Sequence, residues 1–482
     1  MPFLLTLAGH DPSHGAGITA DLAVWAAMGL DGASVVTALT VQNSSGVQRV
    51  EPVAAATVRE ALQAVLADGE PAAVKIGLLG SAAVAREVAA FAAARRCPVV
   101  LDPVLAASNG RTAHAGDDAE FRSALGEAMR HADVITPNRL EAERLLGDRP
   151  VTLEALRRLG RSAVVLKGGH GPDEAASVDW VADRDRTASL SCPRLPVSAH
   201  GTGCVYSAVV AGMMSQGWDV FEAAAEAQRR VHAGIAQARP RPGRPHLQAA
   251  PQPGSAHLPA LRWGNGEDGL MAGEPFPALT GTLGFYPVVP DADWVERLLA
   301  WGVRTLQLRI KAGDLGIADL DAEIARAVQA GRRTPGAQVF INDHWQAALA
   351  HGAYGVHLGQ EDIETADLAA LRRAGLRLGL SSHTPAEMSR VHAVQPSYAA
   401  IGPVYPTTLK AMRYCPVGLV RLRDWAAWYR PRYPVVAIGG ISLARAPQVL
   451  ACGVDSLAVV SAVTQAEQPR CVVDAFLRLF NV

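Results

Sequence analysis

Residues 200–204 read His-Gly-Thr-Gly-Cys at a point where a strand is expected to turn into a long helix of small residues. The glycines Gly201 and Gly203 let successive backbone N–H groups point at one spot, with the positive end of the helix dipole behind them. Such a turn stabilises an oxyanion or a phosphoryl group in transfer. A thiol at a helix N-terminus has a lowered pKa, which makes Cys204 a candidate base, although a small residue here also suits simple packing.

A second set of polar residues follows strand-like runs in the C-terminal half. Gln307, Arg309 and Lys311 alternate, so an extended segment places them on one face. The next two runs are followed by an amide and two carboxylates, namely Asn342, Asp343 and Asp362. Two carboxylates from neighbouring strand ends suit Mg²⁺, which takes one or two protein carboxylates together with substrate phosphates.

The remaining polar candidates also follow strand-like runs of the C-terminal half. They are Ser381, Thr407, Lys410, Gly439, Val460 and Ser461. The last three follow the seventh and eighth runs, where barrels commonly bind a phosphate through backbone N–H groups. Cations, carboxylates for Mg²⁺ and a separate phosphate site together imply a diphosphate substrate beside a monophosphate substrate.

The elements that must position these residues are short β-branched runs that alternate with Ala-rich helical stretches, a pattern typical of parallel α/β folds. In the N-terminal half a first strand within 1–7 is followed by strand candidates at 34–39, 73–76, 98–101, 134–136 and 163–166. Each of these candidates leads through a Gly- or Pro-bearing loop into a helix, which predicts a doubly wound α/β sheet. Ligands of such sheets lie at the carboxyl ends of the strands.

The C-terminal half contains eight strand-like runs within about 200 residues. They lie at 283–289, 305–309, 338–341, 355–358, 377–380, 398–402, 434–438 and 456–460. Eight strands with helices between them predict a TIM (β/α)₈ barrel, whose active site is built at the C-terminal ends of the strands.

The segment from Arg239 to about Pro277 separates the two halves and is rich in Pro and Gly. Such a stretch holds neither a helix nor a central strand, so we interpret 241–278 as a linker between domains at 1–240 and 279–482. Its PxxP-like elements suit a binding partner, but a tether is the simpler interpretation.

Composition excludes several classes of function. The net charge is −1 and Arg and Lys are scattered, so we expect no nucleic-acid partner and no membrane surface. No apolar run approaches the roughly 20 residues of a membrane span, and the first residues are too short for a signal peptide. The six cysteines form no CxxC pair and no zinc-like spacing, which favours a reducing cytoplasm.

The N-terminal half carries further motifs in a fixed order. A glycine-rich loop at 9–17 precedes Asp21 and Gln42, and the runs 136–143 and 167–170 come before Gly-Thr-Gly-Cys. In this order the residues from 3 to 240 resemble bacterial hydroxymethylpyrimidine/phosphomethylpyrimidine kinases of the ribokinase superfamily, whose sugar kinases have Asp where Cys204 stands. The resemblance implies a ribokinase-like fold. It also implies two successive phosphorylations of 4-amino-5-hydroxymethyl-2-methylpyrimidine by ATP as co-substrate, up to the diphosphate.

The same resemblance implies roles for individual residues. Asp21 and Gln42 are expected to hydrogen-bond the aminopyrimidine, and Cys204 to lie beside the acceptor oxygen. Asn138 and Glu141 are expected to help order Mg²⁺ and the phosphates, although Asn138 also suits a helix cap and Glu141 a first-turn carboxylate. Lys167 is expected to neutralise triphosphate charge. A homo-oligomer formed through this domain is also expected.

The C-terminal string INDHWQAALAHGAYGVHLGQED at 341–362 resembles thiamine phosphate synthases, and the likeness extends over about 280–482. The resemblance implies that the pyrimidine diphosphate ionises to a pyrimidinylmethyl cation, which the nitrogen of hydroxyethylthiazole phosphate captures. Gln307 is expected to contact the pyrimidine. The pyrophosphate is expected to be stabilised by Mg²⁺ on Asp343 and Asp362 and by Arg309, Lys311, Asn342, Ser381 and Lys410. No general base is required, so His344 and His357 are interpreted as structural.

Three positions depart from the family patterns. His14 stands where Gly is typical, Leu78 where Met is common, and Leu409 where a second Thr precedes the pyrophosphate lysine. His14 lies at a loop tip and is expected to affect the dynamics of the loop. Leu78 is close to Met in volume and is expected to cost little, and activity is expected to survive with Leu409. Two alternatives to a bifunctional enzyme remain open: a protein in which one half only binds or senses precursors, and a kinase half that acts on another ring substrate such as pyridoxal.

Overall fold

The computed structural model describes residues 3–106, 112–170, 175–264, 274–311, 316–406 and 415–480. The chain divides into two compact units. The N-terminal unit comprises Met1–Gln252 and Pro259–Gly269, and the barrel unit comprises Pro253–Leu258 and Leu270–Val482.

Ten strands form one sheet in the described part of the N-terminal unit, in the order β10-β9-β8-β7-β6-β5-β4-β1-β2-β3. Their bounds are β1 Leu4–His10, β2 Gly32–Asn43, β3 Gly46–Pro52, β4 Ala73–Ile76, β5 Val99–Leu101, β6 Val134–Ile135, β7 Ala163–Leu166, β8 Ala176–Ala182, β9 Thr187–Pro193 and β10 Ala260–Trp263. The strands β2, β1, β4, β5, β6 and β7 are parallel neighbours. The strands β3, β8, β9 and β10 extend both ends of the sheet with antiparallel pairs. The five predicted internal strands are confirmed, and the four antiparallel strands were not predicted.

The helices of this unit pack in two groups. They are α1 Gly17–Ala27, α2 Ala55–Ala67, α3 Ala82–Ala93, α4 Asp118–Met129, α5 Arg139–Leu146, α6 Leu153–Arg157, α7 Thr202–Ser215 and α8 Val220–Ala236. Helices α1, α7 and α8 form one contiguous group, and α2, α3 and α4 form another. Leu5 and Leu7 of β1 lie in the core with α2–α4, while Thr6 between them contacts Asp21 of α1. Because neighbouring strand residues face opposite sides, the helices cover both faces of the sheet, as a doubly wound fold requires.

Eight parallel strands close a barrel in the second unit, which confirms the predicted TIM barrel. They are β11 Gly284–Val289, β12 Thr305–Leu308, β13 Gln338–Asn342, β14 Gly355–Leu358, β15 Arg377–Ser382, β16 Tyr398–Ile401, β17 Val435–Ile438 and β18 Ser456–Val459. The helices are α9 Ala292–Ala300, α10 Ile317–Arg333, α11 Trp345–Ala350, α12 Leu368–Arg373, α13 Pro385–Val394, α14 Gly418–Tyr429, α15 Ala446–Leu450, α16 Ser461–Thr464 and α17 Pro469–Arg478. Each predicted run overlaps one strand.

Part of the segment interpreted as a linker is built into the N-terminal unit. The backbone N–H of His200 donates to Pro245 (2.9 Å), and Arg239 and His246 exchange backbone hydrogen bonds of 2.8 and 2.9 Å. Further along, β10 pairs with β9 at the edge of the sheet. The side chain of Leu261 in β10 is fully buried. The apolar side chain of Leu261 thus anchors β10 in the sheet, although this strand lies within the Pro-rich segment that we interpreted as a tether.

Two further observations concern the whole described chain. None of its described helices has the length and apolarity that a membrane crossing needs. All six cysteines are free thiols.

Candidate active sites

The predicted phosphoryl-binding turn lies at the start of α7. Gly201 caps the helix with φ +82°, and a Cβ at this position would lie 1.8 Å from the carbonyl oxygen of Gly15. Only glycine fits there, because the turn and the glycine-rich loop touch backbone to backbone. A Cβ on Gly203 would lie 3.1 Å from Nζ of Lys167. The structure therefore brings the predicted residues Gly201, Gly203 and Lys167 together.

Lys167 is held in this place by a buried carboxylate. Its Nζ donates to Oδ1 of Asp102 at 2.7 Å, and the hydroxyl of Thr136 donates to the same oxygen at 3.2 Å. Burial lowers the pKa of Lys167, but the charges of Asp102 and Glu141 outweigh it and raise the pKa above its ordinary value. The lysine is therefore cationic beside the turn at 201–204.

Asn138 and Glu141 form a capping box on α5. The backbone N–H of Asn138 donates to Oε2 of Glu141 (2.8 Å), and the N–H of Glu141 donates to Oδ1 of Asn138 (3.0 Å). Burial raises the pKa of Glu141 to about 7, and Lys167 opposes this shift. The capping role that the sequence left open is thus present, and a role toward Mg²⁺ stays a prediction.

Asp21 lies in a second buried ion pair. Nζ of Lys75 donates to its Oδ2 at 2.8 Å, and the hydroxyl of Thr6 donates to the same oxygen at 2.6 Å. Both charged side chains are 0% exposed. Burial raises the pKa of Asp21 and Lys75 opposes it. Gln42, the other predicted pyrimidine contact, is half-buried near the end of β2, at an irregularity in its pairing with β3.

The expectation of a lowered pKa at Cys204 is wrong. Burial raises the pKa of this thiol; Lys75 lowers it, whereas the carboxylates of Asp21 and Asp102 raise it further. A helix N-terminus contributes only a partial charge, which is smaller than the cost of placing a thiolate in this enclosed setting. Cys204 therefore lies in the first turn of α7 as a protonated thiol, and its place beside the acceptor oxygen stays a prediction.

Asp11 lies in the glycine-rich loop at 9–17 and had been given no role from the sequence. It accepts hydrogen bonds from Ser13 N (2.8 Å), Ser13 Oγ (2.7 Å) and Gly15 N (3.1 Å), and it pairs with Nε2 of His200 at 2.9 Å. Burial raises the pKa of Asp11, but the bonds from His200 and Ser13 outweigh it and hold the pKa below its usual range. This carboxylate joins the glycine-rich loop to the turn at 200–204.

The predicted residues of the barrel unit follow the carboxyl ends of neighbouring strands. Gln307 is buried in β12, Arg309 follows it half-buried, and Lys311 is exposed. Asn342 is the buried last residue of β13. Asp343 follows with φ +60°, a conformation that non-glycine residues rarely adopt and that is typical of functional positions.

Asp343 and Asp362 come together at this end of the barrel. Asp343 is exposed at the rim, yet partial burial of its carboxyl and the neighbouring Asp362 raise its pKa to about 6, with Arg309 opposing. Oδ2 of Asp362 accepts the backbone N–H of Gly359 at 3.0 Å. A cation between the carboxylates of Asp343 and Asp362 would relieve their mutual repulsion. Carboxylate oxygens fit Mg²⁺, which completes its coordination shell with water and phosphate oxygens. Among the described residues no group of three or more His, Cys, Asp or Glu forms a metal cluster.

A continuous hydrogen-bond chain runs through the barrel from Gln307 to Ser381. Nε2 of Gln307 donates to the Tyr286 hydroxyl (3.2 Å), which pairs with the Tyr398 hydroxyl (2.7 Å). The Tyr398 hydroxyl lies 2.7 Å from Nδ1 of His357, and Nε2 of His357 lies 2.9 Å from Oγ of Ser381. Burial lowers the pKa of His357 to about 4, so its ring is neutral near pH 7. Two predicted substrate contacts are thus connected by residues that had been given no functional role.

The predicted phosphate site lies after β17 and β18. Gly439 and Gly440 have φ of +100° and +66°, and a Cβ on either would lie within 2.7 Å of the segment at 403–405. Val460 precedes α16 and Ser461 begins it, with an exposed side chain. Thr407, Leu409 and Lys410 lie outside the described residues, so their predicted contacts are not described.

Two family models match the chain. A model described as phosphomethylpyrimidine kinase matches residues 11–249, and one described as thiamine monophosphate synthase matches residues 286–463. The chain is 54% identical over 207 residues to a thiamine-phosphate synthase of Serratia proteamaculans, which covers 43% of this chain and 96% of that protein. It is also 54% identical over 210 residues to a thiamine-phosphate synthase of Neisseria meningitidis, covering 43% of this chain and 98% of that protein.

Solved structures resemble the N-terminal part. A pyridoxal kinase from Staphylococcus aureus in complex with pyridoxal is 23% identical with a TM-score of 0.49, covering 55% of this chain and 99% of that chain. A phosphomethylpyrimidine kinase from Clostridium difficile is 30% identical with a TM-score of 0.40, covering 47% of this chain and 96% of that chain.

Proposed function

We propose that this chain has two successive activities, a kinase activity in its N-terminal unit and a synthase activity in its barrel. The chain belongs to the thiamine-phosphate synthase family and carries a phosphomethylpyrimidine kinase domain ahead of its barrel. Both family resemblances predicted from the motifs are confirmed. The chain is a bifunctional enzyme of thiamine biosynthesis. A precursor-binding half without catalysis and a kinase half for another ring are the less favoured alternatives.

In the N-terminal unit we propose that ATP phosphorylates hydroxymethylpyrimidine and then its monophosphate. Lys167 neutralises the charge of the phosphates, and the backbone N–H groups of the turn at 201–204 stabilise the phosphoryl group as it passes from ATP to the acceptor oxygen, leaving ADP. Phosphoryl transfer needs positioning and charge stabilisation above all, and a cation fixed against Asp102 beside an N–H-lined turn supplies both. Asp21 and Gln42 are proposed to recognise the aminopyrimidine, with Cys204 beside the acceptor oxygen as a thiol.

In the barrel unit we propose that the pyrimidine diphosphate loses pyrophosphate and that the thiazole nitrogen of hydroxyethylthiazole phosphate captures the resulting cation. Arg309, Lys311, Asn342 and Ser381 are proposed to hydrogen-bond the departing pyrophosphate, and Lys410 to join them. Asp343 and Asp362 would hold Mg²⁺, which when bound supplies charge stabilisation to the leaving group. Gly439, Val460, Ser461 and Thr407 are proposed to bind the thiazole phosphate.

One observation supports this proposal above the others. Partial burial, and after it the neighbouring carboxyl of Asp362, raise the pKa of Asp343 to about 6, with Arg309 opposing, at the carboxyl end of a parallel barrel. Carboxylates that repel each other next to a cation form a site that only a metal and an anion together satisfy.

The proposal is tested with the purified full chain, Mg-ATP, hydroxymethylpyrimidine and hydroxyethylthiazole phosphate, following ADP and thiamine phosphate together. About two ADP per thiamine phosphate are expected, since each phosphorylation consumes one ATP. Cys204→Ala is expected to slow ADP release, and Asp343→Ala to stop thiamine phosphate formation while ADP still forms. Pyridoxal in place of the pyrimidine should yield no comparable ADP. Absence of thiamine phosphate even when the pyrimidine diphosphate is supplied would overturn the assignment of the barrel.

Two expectations about the whole molecule also stay proposals. We propose a homo-oligomer through the N-terminal domain, supported by Leu39 and Val41, which alternate on β2 and are 53% and 43% exposed. We also propose a reducing cytoplasmic location, with which six free thiols are compatible. Sedimentation of the chain and of Leu39→Glu tests the first, since loss of the oligomer in the variant is expected.

A further inference from the structure

The hydrogen-bond chain through the barrel joins the two kinds of substrate contact proposed for this site. One end is Gln307, assigned to the pyrimidine, and the other is Ser381, assigned to the pyrophosphate. Between them lie only Tyr286, Tyr398 and His357, and each neighbouring pair is within 2.7–3.2 Å. The direction in which these hydrogen bonds are donated decides whether Gln307 and Ser381 present a donor or an acceptor to a ligand.

The number of hydrogens in the chain sets its direction. The Gln307 amide nitrogen can only donate, so the Tyr286 oxygen accepts there. A tyrosine hydroxyl has one hydrogen, and that of Tyr286 therefore goes to the Tyr398 oxygen. The Tyr398 hydrogen goes to the next partner, Nδ1 of His357. His357 then carries its proton on Nε2 and donates it to Oγ of Ser381.

The surroundings hold this arrangement in place. Tyr286 and Tyr398 are 1% and 0% exposed, so their hydroxyls have no access to bulk water as an alternative partner. Their rings pack on Phe340 with centroids 5.9 and 5.2 Å away. The ring of Tyr398 occupies the space that a side chain at position 379 would fill, since a Cβ on Gly379 would lie 2.0 Å from its Cζ. Buried hydrogen bonds that must be satisfied fix the orientation of every member.

We propose that Tyr286, Tyr398 and His357 are positioning residues of the synthase step, which align one row of hydrogen bonds from the pyrimidine contact to the pyrophosphate contact. This inference rests on the proposed function of the barrel. Because Oγ of Ser381 accepts from His357, its own hydrogen points away from the chain and is donated to the departing pyrophosphate. Because the Gln307 nitrogen is engaged with Tyr286, its amide oxygen is the atom presented to the ring, where it accepts from an amino group.

The hydrogen-bond chain therefore has a role beyond packing, because it fixes whether the Ser381 hydroxyl donates or accepts. A hydroxyl that donates stabilises developing negative charge, whereas one that accepts repels it. If every hydrogen bond were donated in the opposite direction, Ser381 would donate its hydroxyl hydrogen to His357 and present only lone pairs to an anion. The same reversal would turn the Gln307 nitrogen toward the ring. The tautomer of one buried histidine thus decides the polarity of both ends of the site.

The direction is tested without any activity measurement by nitrogen NMR of the full chain labelled at histidine. The His357 signal is assigned by its loss in His357→Gln. We expect Nδ1 unprotonated and Nε2 protonated in the wild type, and a mixture of tautomers in Tyr398→Phe, which lacks the hydroxyl that fixes Nδ1. A proton on Nδ1 in the wild type would overturn the proposal, whether or not the barrel proves to be a synthase.

The functional consequence is tested by synthase kinetics with the pyrimidine diphosphate supplied. Tyr398→Phe is expected to lower kcat about tenfold with little change in KM, since a single hydrogen bond at the leaving group is misaligned. Combined with Ser381→Ala it should add less than about twofold to the loss caused by Ser381→Ala alone, because both changes remove one interaction. Additive losses in the double variant would contradict the proposal.

Tyr354→Phe is the matched control. Tyr354 also packs edge-on against Phe340 and also donates its hydroxyl to a barrel side chain, Oε1 of Gln338 at 2.6 Å, but Gln338 begins β13 at the opposite end of that strand from Asn342. Its kcat should stay within about twofold of the wild type. ADP release by the N-terminal unit should be equal in all these variants. Equal losses in Tyr354→Phe and Tyr398→Phe would show that the hydroxyls act only on packing and would refute a positioning role.

Discussion

The two candidate sites treat charge in opposite ways. The N-terminal unit encloses whole ion pairs: Lys75 with Asp21 and Lys167 with Asp102 have donor–acceptor distances of 2.8 and 2.7 Å and almost no exposure. The barrel unit keeps its charges at the rim, where Asp343 and Asp362 repel each other, and fills its interior with a neutral row of hydroxyl, imidazole and amide groups.

The two arrangements of charge suit the two proposed reactions. A phosphoryl group that passes between two bound substrates needs fixed cations, and a buried carboxylate keeps such a cation in one place. In the proposed synthase step, ionisation of the diphosphate would create charge at the rim, and exposed counter-charges would be free to meet it there. Four substitutions test how each unit handles its charged and strained residues, and they follow in order of decreasing effect.

Lys75→Met should strongly destabilise the fold of the N-terminal unit. Removal of one partner leaves the carboxylate of Asp21 buried and uncompensated, which costs about 3–5 kcal/mol of unfolding free energy. Denaturant unfolding followed by circular dichroism measures the loss. The double variant Lys75→Met/Asp21→Asn should regain most of it, and Arg326→Met, which breaks exposed ion pairs of the barrel unit, should change stability little. A Lys75→Met protein as stable as wild type would show that the pair is not buried as described.

Asp343→Asn should show the reverse pattern in the barrel, with activity lost and stability kept. Loss of one of the two carboxylates proposed to hold Mg²⁺ is expected to lower kcat of the synthase step about 10²–10³-fold. The fold should be at least as stable as before, because the substitution removes repulsion with Asp362. The measurements are steady-state kinetics and thermal unfolding. Asp367→Asn, at a helix cap away from this pair, is the control for kinetics.

Asp179 offers a smaller effect that depends on pH. Burial raises its pKa from 3.8 to about 6 although it accepts the backbone N–H of Gly168 at 2.7 Å. Because the folded pKa lies above the unfolded one, this carboxyl favours the fold below about pH 4, and the benefit disappears as pH rises through about 6. Asp179→Asn should therefore be more stable than wild type by about 3 kcal/mol at pH 7.5 and nearly equal at pH 4. Unfolding at both pH values tests this, with exposed Asp68→Asn as the control.

His14→Gly should have the smallest effect. His14 has φ +62° and an exposed side chain, so the backbone is held in a region that glycine adopts without cost. The substitution should change the free energy of unfolding by less than about 1 kcal/mol and leave the kinase activity within about twofold. A larger loss of ADP release would show that the imidazole itself takes part in the reaction.

Sequence patterns predicted most of what positions the sites. The eight barrel strands were recognised because each is a short run of Val, Ile and Leu followed by a polar turn, and the structure confirms them. The strands β3, β8, β9 and β10 were missed since antiparallel edge strands carry mixed polarity and lack the flanking helices that mark parallel units. The Pro-rich composition around β10 also hid Leu261, whose burial anchors that strand.

The site residues show a similar division. Gly201, Gly203 and Lys167 converge as expected, because strand ends meet at one edge of a parallel sheet. The partners of the buried lysines could not be read from the chain, since Asp21 and Asp102 lie 54 and 65 residues from them. The pKa of Cys204 was predicted in the wrong direction, because a sequence shows the helix N-terminus but not the depth of burial. His357 was interpreted as structural, and only the structure shows that it contacts Ser381.

The path of the chain between the units has a practical meaning. It leaves the N-terminal unit after Gln252, contributes Pro253–Leu258 to the barrel unit, returns for Pro259–Gly269 and then leaves again. A gene cut at codon 240 would deprive the kinase of its last sheet strand and of the backbone partner of His200, while a cut at codon 270 would take residues 253–258 from the barrel. Residues of this stretch thus alternate between the two units along the chain, so a fragment that ends at residue 240 lacks β10 and the segment that pairs with His200.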